Sequence, residues 1–169
     1  MELITVHDIA VFLSIADLPY LQERELIKKI YENLPSQESL STFMFKIDEQ
    51  LEQLDSQVIK EISEIESKVK GKLVSCHFEK DMAHYLKVMK LRIQYTEIHY
   101  VKIKLRTLLK QLGYKRRSDK LLMELNEMFQ HLDLVLYKKG GILSHVSEFS
   151  LDEFMTIRLR SDKNVEGAN

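Results

Sequence analysis

From Leu40 to Leu73 an apolar residue recurs every three or four positions: Leu40, Met44, Ile47, Leu51, Leu54, Val58, Ile62, Ile65, Val69 and Leu73. Side chains of a strand alternate every second residue, so this spacing belongs to one face of an α-helix. Most of the intervening residues are acidic or polar. The pattern predicts a rod over about 40–70, roughly 45 Å long at 1.5 Å per residue, with Gly71 as its stop or kink. A single apolar stripe on a long helix must be covered, and a neighbouring helix is the simplest cover.

Residues 78–112 supply a candidate. Phe78, Met82, Tyr85, Met89, Ile93, Tyr100 and Ile103 form one stripe, and Leu91, Ile98, Val101, Leu105, Leu108 and Leu112 form a second. On a helical wheel the two point in nearly opposite directions, which predicts a helix packed on two sides. The short connection makes it antiparallel to its predecessor. The expected fold class is therefore mainly α, a helical bundle built on a long antiparallel helix pair, about 40–70 and 78–112. Two prolines and five glycines in 169 residues leave few breaks.

Around this pair, Thr5-Val6-His7-Asp8 has capping-box spacing and predicts a helix over about 6–16. A second runs from Pro19 to about Asn33, with Leu21, Leu26, Ile27 and Ile30 on its apolar side. Gly113 ends the long helix, and Ser118 caps another from Asp119 to at least Phe129. Residues 130–149 fit either a helical continuation or a short β-hairpin near 132–146, turning at Lys138-Lys139-Gly140-Gly141. Ser150-Leu151-Asp152-Glu153 reads as a second capping box starting a helix to about Leu159. Residues 1–160 are expected to form a single helical domain, with 161–169 a disordered polar tail.

Cys76 is the sole cysteine, so no intrachain disulfide can form, and a reducing compartment, the cytoplasm, is expected. No run is long and uncharged enough to cross a membrane. No Gly-rich phosphate loop, nucleophile elbow or paired-cysteine metal site is present, and no cofactor is expected.

Charge is the most uneven property. Residues 87–120 hold eleven Lys and Arg against two acids, a net +9 in a chain of net −1. Lys102, Arg106 and Lys110 recur every four residues, and Lys115-Arg116-Arg117 and Lys120 follow. On a helix these would line a surface for phosphates or an acidic protein. The acids of the 40–70 helix (Glu49, Glu52, Asp55, Glu61, Glu64 and Glu66) could instead answer the stripe, at about 0–1 kcal/mol per exposed pair. The turn at 115–117 has fewer acids near it.

Leu108 to Tyr114, with the helix that follows, also has the layout of a helix-turn-helix, and a hairpin at 132–146 would make it winged. Leu109 is bulky for a tight helix crossing, and Asp119 stands where an apolar anchor is expected. A plain bundle connection explains the same features.

Arg92 and His99, seven residues apart, would share one helical face. The spacing resembles the Arg-x4–6-His motif of the HEPN ribonucleases. That resemblance implies metal-independent RNA cleavage, with His99 as general acid–base and Arg92 on the scissile phosphate. Ile93 departs from the polar residue usual after that arginine, and two charged residues on a solvated face are the simpler account. His77, Asp81 and His84 would also share a face and could offer three ligands to a metal. They too read more simply as solvated side chains.

The expectation drawn from these features is a small cytoplasmic, non-enzymatic regulator or adaptor. It would bind a macromolecule, an acidic protein surface or nucleic acid, through the basic helix-turn surface at about 102–120. Self-association through the 40–70 stripe would give a homodimer.

Overall fold

A computed structural model of the chain describes residues 3–35, 38–65 and 81–160, with only the backbone for 55–65. The Gly71 stop, the end of the 40–73 stripe, Cys76, His77 and the 161–169 tail lie outside the described residues. The described residues fall into two compact units, 3–65 and 81–160.

The first unit is helical: α1 (Val6–Ala16), α2 (Tyr20–Asn33) and α3 (Leu40–Ile65). The capping box of α1 forms as its sequence predicts. The Asp8 N–H donates to Thr5 Oγ1 at 3.2 Å, and the Thr5 N–H donates back to Asp8 Oδ2 at 2.7 Å. Asp8 through Leu13 are all buried, which a helix tolerates only when neighbours surround it. Asp17 ends α1 in the left-handed region at φ 46°, its N–H returning to Leu13 O. α2 buries Leu26, Ile27 and Ile30. Ser39 precedes α3, its Oγ accepting from the Thr42 N–H, and the helix buries Phe43, Ile47 and Leu54. α1 and α2 both pack on α3. An Arg24–Asp48 ion pair at 2.8 Å joins α2 to α3 at the edge of this contact.

The second unit runs α4 (Met82–Tyr95), β1 (Val101–Lys104), α5 (Leu105–Gln111), α6 (Asp119–His131), β2 (Leu134–Lys138), β3 (Ile142–Ser144), a 3-10 turn (Val146–Glu148) and β4 (Phe154–Leu159). The strands form one antiparallel sheet in the order β1-β4-β2-β3. Its inner face carries Leu134, Leu136, Met155 and Ile157, all buried. α4 packs against β4, and α6 packs against β2, the 3-10 turn and α4. Leu86, Leu91, Leu105, Leu108, Leu125, Phe129 and Phe149 fill the space between. Each such side chain contributes roughly 1.5–3 kcal/mol.

Mainly helical content is therefore right, but the long antiparallel pair needs correction. The expected helix 78–112 is not continuous. It stops at Tyr95, turns through residues 96–100, joins the sheet as its edge strand β1 and resumes as α5. The run Ile98-His99-Tyr100-Val101-Lys102-Ile103-Lys104 fits a 3.6-residue period loosely. It also alternates, and it is rich in β-branched and aromatic residues. Pairing with β4, Val101 opposite Ile157 and Ile103 opposite Met155, selects the strand.

The segment after Ser150 needs the same correction. The box contact forms, with the Ser150 N–H donating to Glu153 Oε2 at 3.1 Å, yet it closes a turn rather than a helix. Phe154 to Leu159 then enters the sheet between β1 and β2. The hairpin near 132–146 is present as β2 and β3. It turns through Gly140 and Gly141 at φ 89° and 78°, values that side-chain-bearing residues rarely adopt. Helix 119–129 is present as α6, capped by Ser118 Oγ.

Candidate functional site

The sequence-predicted cations lie in the second unit, on β1, α5, the turn that follows it and α6. The stripe Lys102–Arg106–Lys110 does not exist as one face, because Lys102 is on β1 and the other two are on α5. Arg106 is engaged by Asp152 through two hydrogen bonds, Nε at 3.0 Å and Nη2 at 2.9 Å. This contact holds the Arg106 guanidinium above its ordinary pKa and the Asp152 carboxyl below its own. Both side chains are largely exposed, so the pair adds little to stability.

The turn between α5 and α6 separates its three cations. Gly113 takes φ 83° at the end of α5, and the Tyr114 N–H returns to Leu109 O at 2.9 Å. The chain then extends through Lys115, Arg116 and Arg117 to the Ser118 cap. Arg117 turns back onto the unit, donating to the carbonyl oxygens of Phe149 and Ser147. The side chains of Lys110, Lys115 and Arg116 are exposed, with no ion-pair or hydrogen-bond partner among the described residues. Lys120 sits one turn from Glu124, at 3.9 Å.

α6 itself is not basic. Its exposed residues include Asp119, Lys120, Met123, Glu124 and Glu127, with Met123 64% exposed. The two objections to a helix-turn-helix read differently in three dimensions. Leu109 is accommodated as a buried residue, and Asp119 is exposed in the first turn of α6, where an acid suits the helix dipole.

A further group of cations lies on the outward face of the sheet. Alternation along the strands places Lys102 and Lys104 of β1, Phe154, Thr156 and Arg158 of β4, and Val135 and Tyr137 of β2 on the side opposite the buried residues. Lys102 and Lys104 lie 5.2 and 5.1 Å from the Phe154 ring centroid. The Arg158 guanidinium lies 5.4 Å from the Tyr100 centroid and 5.8 Å from that of Tyr137. Sequence reasoning missed this face. Its signal was the alternation of 98–104 and of 154–159, hidden because both runs were assigned to helices.

The remaining candidates are dispersed. Arg92 is exposed near the end of α4, and His99 lies past the helix on the way into β1. The one-face, two-turn geometry assumed for ribonuclease chemistry is therefore not formed. His99 instead lines a shallow cleft of about 400 Å³ with Ile93, Tyr100, Arg158 and Leu159. Asp81 caps α4, its Oδ1 accepting from the Ala83 N–H at 3.0 Å, and His84 is buried. No cluster of three or more metal-ligating side chains occurs among the described residues.

The chain matches no protein-family model, no curated protein and no solved structure. Residues 81–160 hold fifteen Lys and Arg against nine acids, a net +6, whereas residues 3–65 hold five against twelve, a net −7. Among the described residues no helix is long and apolar enough to cross a membrane.

Proposed function

We propose that this chain is a non-enzymatic nucleic-acid-binding regulator whose 81–160 unit works as a winged helix-turn-helix. The single observation that carries the reading is the order of elements around the basic turn. α5, a glycine turn and α6 are followed directly by a β-hairpin on a unit of net +6. Lys110 near the end of α5 and Lys115 and Arg116 in the turn are exposed and make no ion pair among the described residues. Three unpaired cations on a short segment suit the regular charge of a phosphate backbone.

The acids of α6 shape the mode of binding. Glu124 and Glu127 would face phosphates if the helix lay deep in a groove, so the turn makes the contact and α6 stands back from it. Contacts of this kind hold the backbone and read little sequence. The test is the salt dependence of duplex binding. Lys115→Ala and Arg116→Ala should each reduce the slope of log K against log salt by about 0.9. An unchanged slope in the double variant would overturn the proposal.

A second reading, an adaptor for another protein, is supported by the exposed Met123 between Lys120, Glu124 and Glu127 on α6. It predicts co-purification with one protein that persists after nuclease treatment and is lost in Met123→Glu.

A further inference from the structure

The outward face of the sheet has a composition that phosphate contacts at the turn do not explain. Along β1 and β4 its positions are Lys102, Lys104, Phe154, Thr156 and Arg158, with Tyr100 just before β1. Tyr137 and Val135 extend it on β2. None of these positions is a carboxylate. Tyr100 is 50% and Phe154 48% exposed, large values for aromatic rings that a core could have used.

We infer that this face binds an unpaired nucleic-acid strand, with bases stacked on Tyr100 and Phe154 and phosphates held by Lys102, Lys104 and Arg158. Each part follows from chemistry on the face. An exposed ring flanked by cations offers a base a stacking surface and its phosphate a counter-charge in the same place. The cations also hold the rings. Arg158 lies between Tyr100 and Tyr137, and both lysines reach Phe154, so the rings are ordered before a ligand arrives. Tyr100 and Lys104, the residue opposite Phe154, are four residues apart, roughly 13 Å at 3.3 Å per residue. The two rings therefore serve different bases of one strand. A duplex keeps its base faces stacked inside, so the rings have nothing to bind there. The cleft lined by Ile93, His99, Tyr100, Arg158 and Leu159 adjoins Tyr100 and gives the strand a place to end or turn.

This inference rests on the nucleic-acid reading above but uses different residues, so the two can fail separately. The experiment measures binding of a labelled dT12 strand and a labelled 20-bp duplex to the full chain by fluorescence anisotropy. Tyr100→Leu and Phe154→Leu should each weaken dT12 binding about 5- to 100-fold, leaving duplex binding within twofold. Tyr100→Phe and Phe154→Tyr keep a ring and should retain wild-type affinity, which separates stacking from a folding defect. Lys115→Ala with Arg116→Ala should show the reverse selectivity. Wild-type protein that fails to bind dT12, or leucine variants that bind it as wild type does, would overturn the inference even if duplex binding stands. If duplex binding is absent while dT12 binding still falls in the leucine variants, the inference holds and the turn proposal fails.

Discussion

The Arg117 guanidinium donates to the carbonyl oxygen of Phe149 at 2.7 Å, with a second donation to Ser147 O at 2.8 Å. Phe149 is buried, so a residue of the basic turn closes the loop between β3 and β4. Hydrogen bonds from a charged donor contribute about 1.5–3 kcal/mol, less where water reaches them. Arg117→Ala should therefore destabilise the protein by about 1–2 kcal/mol in chemical denaturation. Lys115→Ala and Arg116→Ala should change stability by no more than about 0.5 kcal/mol. Equal effects at all three positions would show that the turn does not divide its cations in this way.

The Arg106–Asp152 salt bridge gives a functional prediction. Asp152 neutralises Arg106, one α-helical turn before Lys110. Asp152→Asn keeps the shape and releases the charge. Duplex binding should then tighten, and its salt slope should steepen by up to about 0.9. No steepening would place Arg106 outside the contact. The same pair sets a direction with pH. Arg106 lowers the Asp152 pKa, so its contribution is complete above the ordinary carboxylate range and is lost as pH falls through the lowered value.

Tyr85 gives an alkaline counterpart. It is buried on α4, its hydroxyl donates to Gln111 of α5, and burial pushes its pKa up to about 12. The folded state keeps the proton after the unfolded chain has lost it. This contribution is therefore full below pH of about 10 and disappears as pH rises toward 12, by up to about 2–3 kcal/mol. Urea midpoints measured across that range should fall more steeply for wild type than for Tyr85→Phe. Parallel curves would exclude Tyr85 as the cause.

Phe129 and Met123 are six residues apart on α6 and should behave oppositely. Phe129 is buried between helix and sheet, and Phe129→Ala should cost about 3–5 kcal/mol. Met123 is exposed, and Met123→Ala should be neutral within about 0.5 kcal/mol. Denaturation of the two single variants decides it. A large loss at Met123 would mean that its side chain is covered in solution.

The legible parts of the sequence were those governed by local rules. Thr5 and Asp8 specify the start of α1, Ser118 that of α6, and Gly140-Gly141 the hairpin turn, each within four residues of chain. The misread parts are β1 and β4. They pair with each other across about fifty residues of chain, and either period can be drawn through their apolar residues. Tyr100 and Lys102 were placed on different helical stripes, whereas strand alternation puts them on one face with Phe154 and Arg158. The candidate site shared this fate. Lys110, Lys115 and Arg116 were readable from a charge count, but the aromatic partners of Lys102 and Lys104 became neighbours only through pairing.

The net charge of −1 describes neither half of this molecule, since the two units carry −7 and +6. A focusing gel would report their average, but in solution the chain is a block polyampholyte. At about 0.01 M salt, attraction between unlike blocks on different copies extends some 30 Å, and at about 0.15 M only some 8 Å. Dilute buffer should therefore cloud a concentrated stock, and added salt should clear it. The same blocks should let the protein bind both cation- and anion-exchange resins.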